Sequence, residues 1–247
     1  MRPDETTLGS PERAFPQTIW GLISRARDSD TEIRGGGLAE LCQKYWKPVY
    51  CYIRLAHAKT NDDAKDLTQN FFLWLLQGDA LRYYDSSRAS FRTYLKSLVR
   101  QLVLNEDQAG RRQKRGGAVR ILDLDGDSAK LREALADPKA PDPEKLFDEE
   151  WRNTIMTQAI ERVRRKLTTK GQEEQFRIYE KYALAPPSER LTYAELAREH
   201  GLKESDIRNH LFLIRSQVRE EVRSEILEMT SSPGEFEEEW NAFLGVQ

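Results

Sequence analysis

At 247 residues the chain is long for one compact helical domain and comfortable for two. Charged residues make up 32% of it and mean hydropathy is -0.73; no window approaches the roughly 18 apolar residues of a membrane span, and Met1-Arg2-Pro3-Asp4-Glu5 lacks the parts of a signal sequence, so a cytoplasmic chain with no membrane partner is expected. The net charge of -2 does not point to nucleic acid but its distribution does: residues 88–120 hold nine Arg or Lys against two acids, and residues 121–150 hold ten acids against four bases.

Residues 1–34, with Pro3, Pro11 and Pro16, read as a loose arm carrying a short helix from about Gln17 to Asp28. Gly35-Gly36-Gly37 then breaks the chain, and a first domain is expected over 35–115. Leu38, Leu41, Tyr45, Trp46, Val49, Tyr50 and Ile53 fall at helical spacing, with Pro48 as a candidate kink. Cys42 and Cys51, the only cysteines, sit about 180° apart on that helix. A disulfide within it is therefore excluded, which suits a reducing compartment.

Thr60-Asn61-Asp62-Asp63 reads as an N-cap followed by acids in the first turn. The helix it opens carries Ala64, Leu67, Phe71, Leu75 and Leu76 on one side and ends at Gly78-Asp79. A polar loop runs to Ala89, and in it Tyr83 and Tyr84 are candidate stacking faces for unpaired bases. Ser90 caps a third helix through Phe91, Tyr94, Leu95, Leu98, Val99, Leu102 and Val103, with Phe91 and Tyr94 read as core. Its outer face carries Arg92, Lys96 and Arg100 at i, i+4, i+8. Gly110 precedes a basic run from Arg111 to Arg115.

Residues 116–143, with Gly116, Gly117, Pro138, Pro141, Pro143 and many Asp, read as a flexible acidic linker. A second helical domain is expected over 144–230, divided by Pro186-Pro187 into two pairs of helices. Its motif is Leu191 to Leu202 followed by Lys203 to Val218. A helix-turn-helix needs a small residue at the crossing (Ala197), a turn residue free to take positive φ four later (Gly201), and an apolar lock on the second helix (Ile207). The second helix continues its buried stripe as Leu211, Ile214 and Val218, leaving Glu204, Ser205, Arg208, Asn209, Phe212, Arg215 and Arg219 outward. Arg208 and Asn209, near the helix start, suit base edges, and Arg215 and Arg219 suit the phosphate backbone. Lys203 breaks a local rule by standing where an N-cap Ser or Thr belongs; the alternatives are a cap from Ser205 or Asp206 or a later helix start.

Beyond Ser231-Ser232-Pro233-Gly234 the tail, 231–247, places Phe236, Trp240, Phe243 and Leu244 on one side of a short amphipathic helix. Too short to be stable alone, it must dock. Its two candidate seats are the C-terminal domain itself and a basic DNA-binding face that it covers. Nothing reads as strand, so the fold class is all-α, with two helical domains. His57, His200 and His210 are scattered, and Asp123, Asp125 and Asp127 start a calcium-loop pattern that Ser128 and Ala134 break. No phosphate loop or nucleophile elbow occurs. No enzyme activity, metal, cofactor or small-molecule substrate is expected.

The N-terminal motifs carry a resemblance. Asp63-Ala64-Lys65-Asp66-Leu67-Thr68-Gln69-Asn70-Phe71-Phe72 resembles the D-A-x-D-L-x-Q-x-x-F signature of region 2 in bacterial sigma factors of the extracytoplasmic-function (ECF) type, and Ser90-Phe91-Arg92-Thr93-Tyr94-Leu95 resembles its S-F-R-x-W/Y-L signature. Gln113-Lys114-Arg115-Gly116-Gly117, the acidic linker and Pro143-Glu144-Lys145-Leu146-Phe147 are similar to a branch of that family found in planctomycetes. The helix-turn-helix is similar to its region 4, so the resemblance covers about 38–227.

That resemblance implies a subunit that binds core RNA polymerase and directs promoter recognition, melting and initiation. Asp63, Asp66, Leu67, Gln69 and Asn70 would dock on the β′ coiled coil, and the β flap would be a second polymerase contact. Tyr83, Tyr84, Arg88, Arg92, Lys96, Arg100, Arg111 and Arg112 would meet the opening -10 element, with the loop from Gly78 to Ala89 capturing a flipped base. The seven outward residues of the second helix would read the -35 element. Partners would be core polymerase, double- and single-stranded promoter DNA, and an anti-sigma protein or other regulator. Two positions depart from the pattern: Asn70 stands where the family usually has an acid, and Gln101 where it usually has Asn. The competing reading is a stand-alone helix-turn-helix regulator with an N-terminal protein-interaction domain, which has no need of the segment 62–101.

Overall fold

The fold is seen in a computed structural model that describes residues 31–56, 59–77, 80–113 and 142–245. The described residues are helical with no strand, as the apolar periodicity requires. The expected helix over 17–28 and most of the linker lie outside the described residues.

The first lobe is built from α1 (Thr31–Ala56), α2 (Asn61–Gln77), a 3-10 turn (Ala80–Tyr83) and α3 (Phe91–Gln113). The triglycine does not break the chain, as its composition suggests it should: α1 begins ahead of it and runs through it. Each Gly costs about 1 kcal/mol of helix propensity relative to Ala, but extending a helix adds one bond per residue fixed, and the long packed stripe downstream supplies the nucleus. Pro48 sits inside α1 without ending it. The α2 start is as expected, with Asp63 N–H donating to Thr60 Oγ1 at 3.2 Å. Likewise α3 continues through Gly110.

The second lobe holds α4 (Pro143–Thr169), α5 (Glu173–Tyr179), a π turn (Glu180–Leu184), a 3-10 turn (Pro187–Glu189), α6 (Tyr193–His200) and α7 (Glu204–Glu228), followed by α8 (Pro233–Leu244). Asp142 caps α4 by accepting the Glu144 N–H at 3.0 Å, with Pro143 at the position where a missing N–H costs nothing.

The two lobes lie against each other. α1 runs along α4, and the buried apolar residues form one continuous cluster from Tyr45, Phe71 and Phe91 to Trp151, Ile207 and Ile214. Polar ties cross the same boundary. Lys44 and Glu225 form a fully buried ion pair, to which Arg162 adds a second cation, and Gln158 Nε2 donates to the Gln43 carbonyl at 3.1 Å.

Candidate nucleic-acid interface

The tight bend in the second lobe follows from local chemistry. Thr192 and Glu195 form a reciprocal box: Glu195 N–H donates to Thr192 Oγ1 at 3.3 Å, and Thr192 N–H donates to Glu195 Oε2 at 2.7 Å. The backbone and hydroxyl donors of Thr192 hold the Glu195 carboxyl below its ordinary value. Ala197 is buried at the crossing, and Gly201 takes φ 63°, ψ 29°, the left-handed conformation that ends α6. The Leu202 N–H then closes on the Ala197 carbonyl at 2.9 Å. Ile207 is fully buried and locks α7 against α6. The anomaly at Lys203 resolves through Asp206, whose Oδ2 accepts the Lys203 N–H at 3.1 Å. This is the reaching-back half of a capping box, and the Lys203 side chain supplies no cap of its own.

Glu204, Ser205, Arg208, Asn209, Phe212, Arg215 and Arg219 are all exposed on α7, with Phe212 68% accessible. Two tyrosines that sequence reasoning missed stand beside them. The rings of Tyr182 and Tyr193 stack with centroids 5.0 Å apart; the Arg208 guanidinium lies 5.9 Å from the Tyr193 centroid, and that of Arg215 lies 5.3 Å from the Tyr182 centroid. Both cations are thereby aimed by aromatic faces. Tyr182 precedes the helix-turn-helix, and no periodicity ties it to α7.

On α2 the side chains of Asp63, Asp66, Gln69 and Asn70 are exposed, while Leu67 is half-buried on the core. Leu73 and Trp74, each 43% accessible, continue this outer face and were also missed. They fall outside the buried stripe, side by side with the exposed polar residues of α2, and the Trp74 ring lies 6.0 Å from that of Phe71.

The first lobe's basic surface differs from expectation. Tyr83 is 76% accessible, and Arg88 is exposed with an ion pair to Asp85 at 3.3 Å. Tyr84, the other candidate stacking face of the loop, is only 3% accessible. The loop is tied down: the Tyr94 hydroxyl donates to the Ala80 carbonyl at 2.6 Å, and the Tyr84 ring meets Phe91 edge-on at 5.2 Å. Its hydroxyl donates to Glu235 of α8 at 3.1 Å.

Arg92 is a second correction, placed on an outer face by spacing but 6% accessible in the fold. Its Nε donates to Glu239 Oε2 at 2.8 Å, another guanidinium nitrogen meets Asp148, and the group lies 4.9 Å from the Trp151 ring centroid. Burial pulls its pKa down, but the Glu239 and Asp148 carboxylates outweigh this and hold it above its ordinary value. Lys96 pairs with Asp148 at 3.0 Å, and Arg100 faces Glu144 at 3.8 Å. Arg111 and Arg112 belong to the last turn of α3, and their side chains lie outside the described residues.

Among the described residues no cluster of His, Cys, Asp and Glu could hold a metal ion, and no helix is long and apolar enough to cross a membrane. Cys42 and Cys51 are both free thiols.

The model of the ECF sigma factor family matches residues 19–224. No match was found among curated proteins or solved structures.

Proposed function

The chain belongs to the ECF sigma factor family, and from that premise we propose how its residues share the work. The function is that of the family: the protein binds core RNA polymerase and promoter DNA and directs transcription initiation. In our reading residues 35–115 engage polymerase and the -10 element, residues 144–230 read the -35 element, and 116–143 join them. Asp63, Asp66, Leu67, Gln69 and Asn70, extended by Leu73 and Trp74, form the polymerase face. An apolar centre with a charged rim is the composition of a protein interface. Tyr83 and Arg88 together with Arg92, Lys96, Arg100, Arg111 and Arg112 serve the melted strand, which needs positive charge along its backbone and ring faces for unpaired bases. Of these Arg92 is buried in the fold, as is Tyr84, and both reach a strand only once it opens. In this reading the chain contributes binding energy for open DNA and no bond-making chemistry. Phosphoryl transfer belongs to polymerase, at whose promoters on the nucleoid the chain works.

The observation that carries the second-lobe assignment is the exposed row on α7 held by a tight bend, with Arg208 and Asn209 near the helix start. Asn pairs with adenine and Arg with guanine in the major groove. Holoenzyme made from this chain and core polymerase is used to select promoter DNA from a random library. On the selected sites Arg208→Ala is expected to lose about 1–3 kcal/mol and to relax preference at one position. Equal weakening on every sequence would reassign Arg208 to the backbone, and no weakening would remove α7 from the interface.

A further inference from the structure

We propose that α8 and the first turns of α4 form an acidic cover built over the basic face of α3, which keeps the free protein closed to single-stranded DNA until the lobes part. The inference rests on the reading of Arg92, Lys96 and Arg100 as contacts for the melted strand.

Registration is the first argument. The three cations are spaced one helical turn apart, and acids of the second lobe meet them in reverse order: Arg92 and Lys96 share Asp148, and Arg100 faces Glu144 one turn earlier in α4. The pairs advance along α3 as they retreat along α4, so long side chains bridge the two helices in antiparallel order.

Burial is the second. Of the four Glu in α8, Glu235 and Glu239 are buried, and Glu237 and Glu238 face solvent. A carboxylate placed inside is strongly unfavourable unless paired. Both buried acids find a first-lobe partner: Glu239 takes Arg92, and Glu235 takes the Tyr84 hydroxyl besides Ser231. The helix is seated by Phe243, whose ring meets Trp151 edge-on at 6.3 Å, beneath the same Arg92 guanidinium. Tail, α4 and α3 thus meet at one point, where Arg92 is buried, and α8 also takes the hydroxyl of Tyr84, whose ring packs on Phe91 and Tyr94. A strand cannot reach either until α8 leaves.

The affinity of a ligand for a protein that is mostly closed is reduced by the open fraction. Removing the cover therefore tightens binding without adding any contact. The test uses the full chain and a fluorescein-labelled, random-sequence single strand of about 20 nucleotides, read by anisotropy, with small-angle scattering reporting lobe separation. Glu235→Gln with Glu239→Gln keeps the shape of α8 and removes its inner charges. Glu237→Gln with Glu238→Gln removes the same charge from the outer side. The inner pair is expected to bind the strand about tenfold tighter with a larger radius of gyration, and the outer pair to behave nearly as wild type. Asp148→Asn loosens the same junction from α4 and must shift both readouts in the same direction, which keeps the test open should the inner pair fail to fold. Lobes that remain together, or inner and outer pairs that behave alike, overturn the cover. Lobes that separate with unchanged strand affinity overturn instead the assignment of α3 to DNA.

Discussion

Gly201 makes the bend that aims α7, and its substitution isolates one physical quantity. With φ at +63° it occupies the left-handed region, yet a Cβ placed there would meet no heavy atom within 4 Å. Gly201→Ala therefore suffers no clash, and its whole cost is the left-handed backbone, about 1–2 kcal/mol. Given a urea slope of roughly 2–3 kcal/mol/M, the unfolding midpoint followed by circular dichroism falls by about 0.3–1 M with the slope unchanged. Asn tolerates this region and should lose less than Ala, while the β-branched Val should lose more. Because the space around the turn is open, the variants keep the bend and DNA affinity well below the melting temperature. Ala197→Leu is the contrast: at the buried crossing, overpacking costs about 1–3 kcal/mol and alters the helix angle as well, so DNA binding falls further than stability alone requires. If Ala, Asn and Val at 201 were equally stable, or if Ala matched wild type, backbone strain would not be what Gly201 relieves and the turn would have to be explained otherwise.

Three other outcomes follow from the same fold. Glu225→Leu strands the buried Lys44 ammonium and is expected to destabilise by about 3–5 kcal/mol, whereas Lys44→Met combined with Glu225→Leu recovers most of the loss; calorimetric melting of the three proteins checks this, and a double variant no better than the single would contradict it. The Glu195 carboxyl is held below its ordinary value by the Thr192 donors, so its contribution is present above the unfolded carboxylate pKa and lost as pH falls through the folded one. The stability gap between wild type and Glu195→Ala should be full at about pH 7 and shrink as pH falls below the ordinary carboxylate range, measured by urea midpoints. Arg215→Ala and Arg219→Ala should each weaken binding similarly on all sequences and flatten the log–log salt dependence by about 1, read by anisotropy at several salt concentrations.

Much of this molecule is legible from the chain because the deciding interactions are local. The Thr60 cap, the apolar stripes of α2, α3 and α7, and the Ala197–Gly201–Ile207 bend all depend on neighbours within a few residues, and each forms where the spacing places it. The triglycine misleads for a related reason: composition registers the cost of glycine but not the long helix that outweighs it.

What only the tertiary structure decides is which polar side chains are covered. Periodicity puts Arg92 on an outer face and leaves Tyr84 in a polar loop, but it cannot register that Glu239 and Glu235 arrive from 147 and 151 residues away, or that Lys44 finds Glu225 at a separation of 181. Helical spacing specifies a direction around an axis and says nothing of what lies in that direction. A charge row drawn toward an acidic one therefore reads, from sequence alone, the same as a charge row facing water.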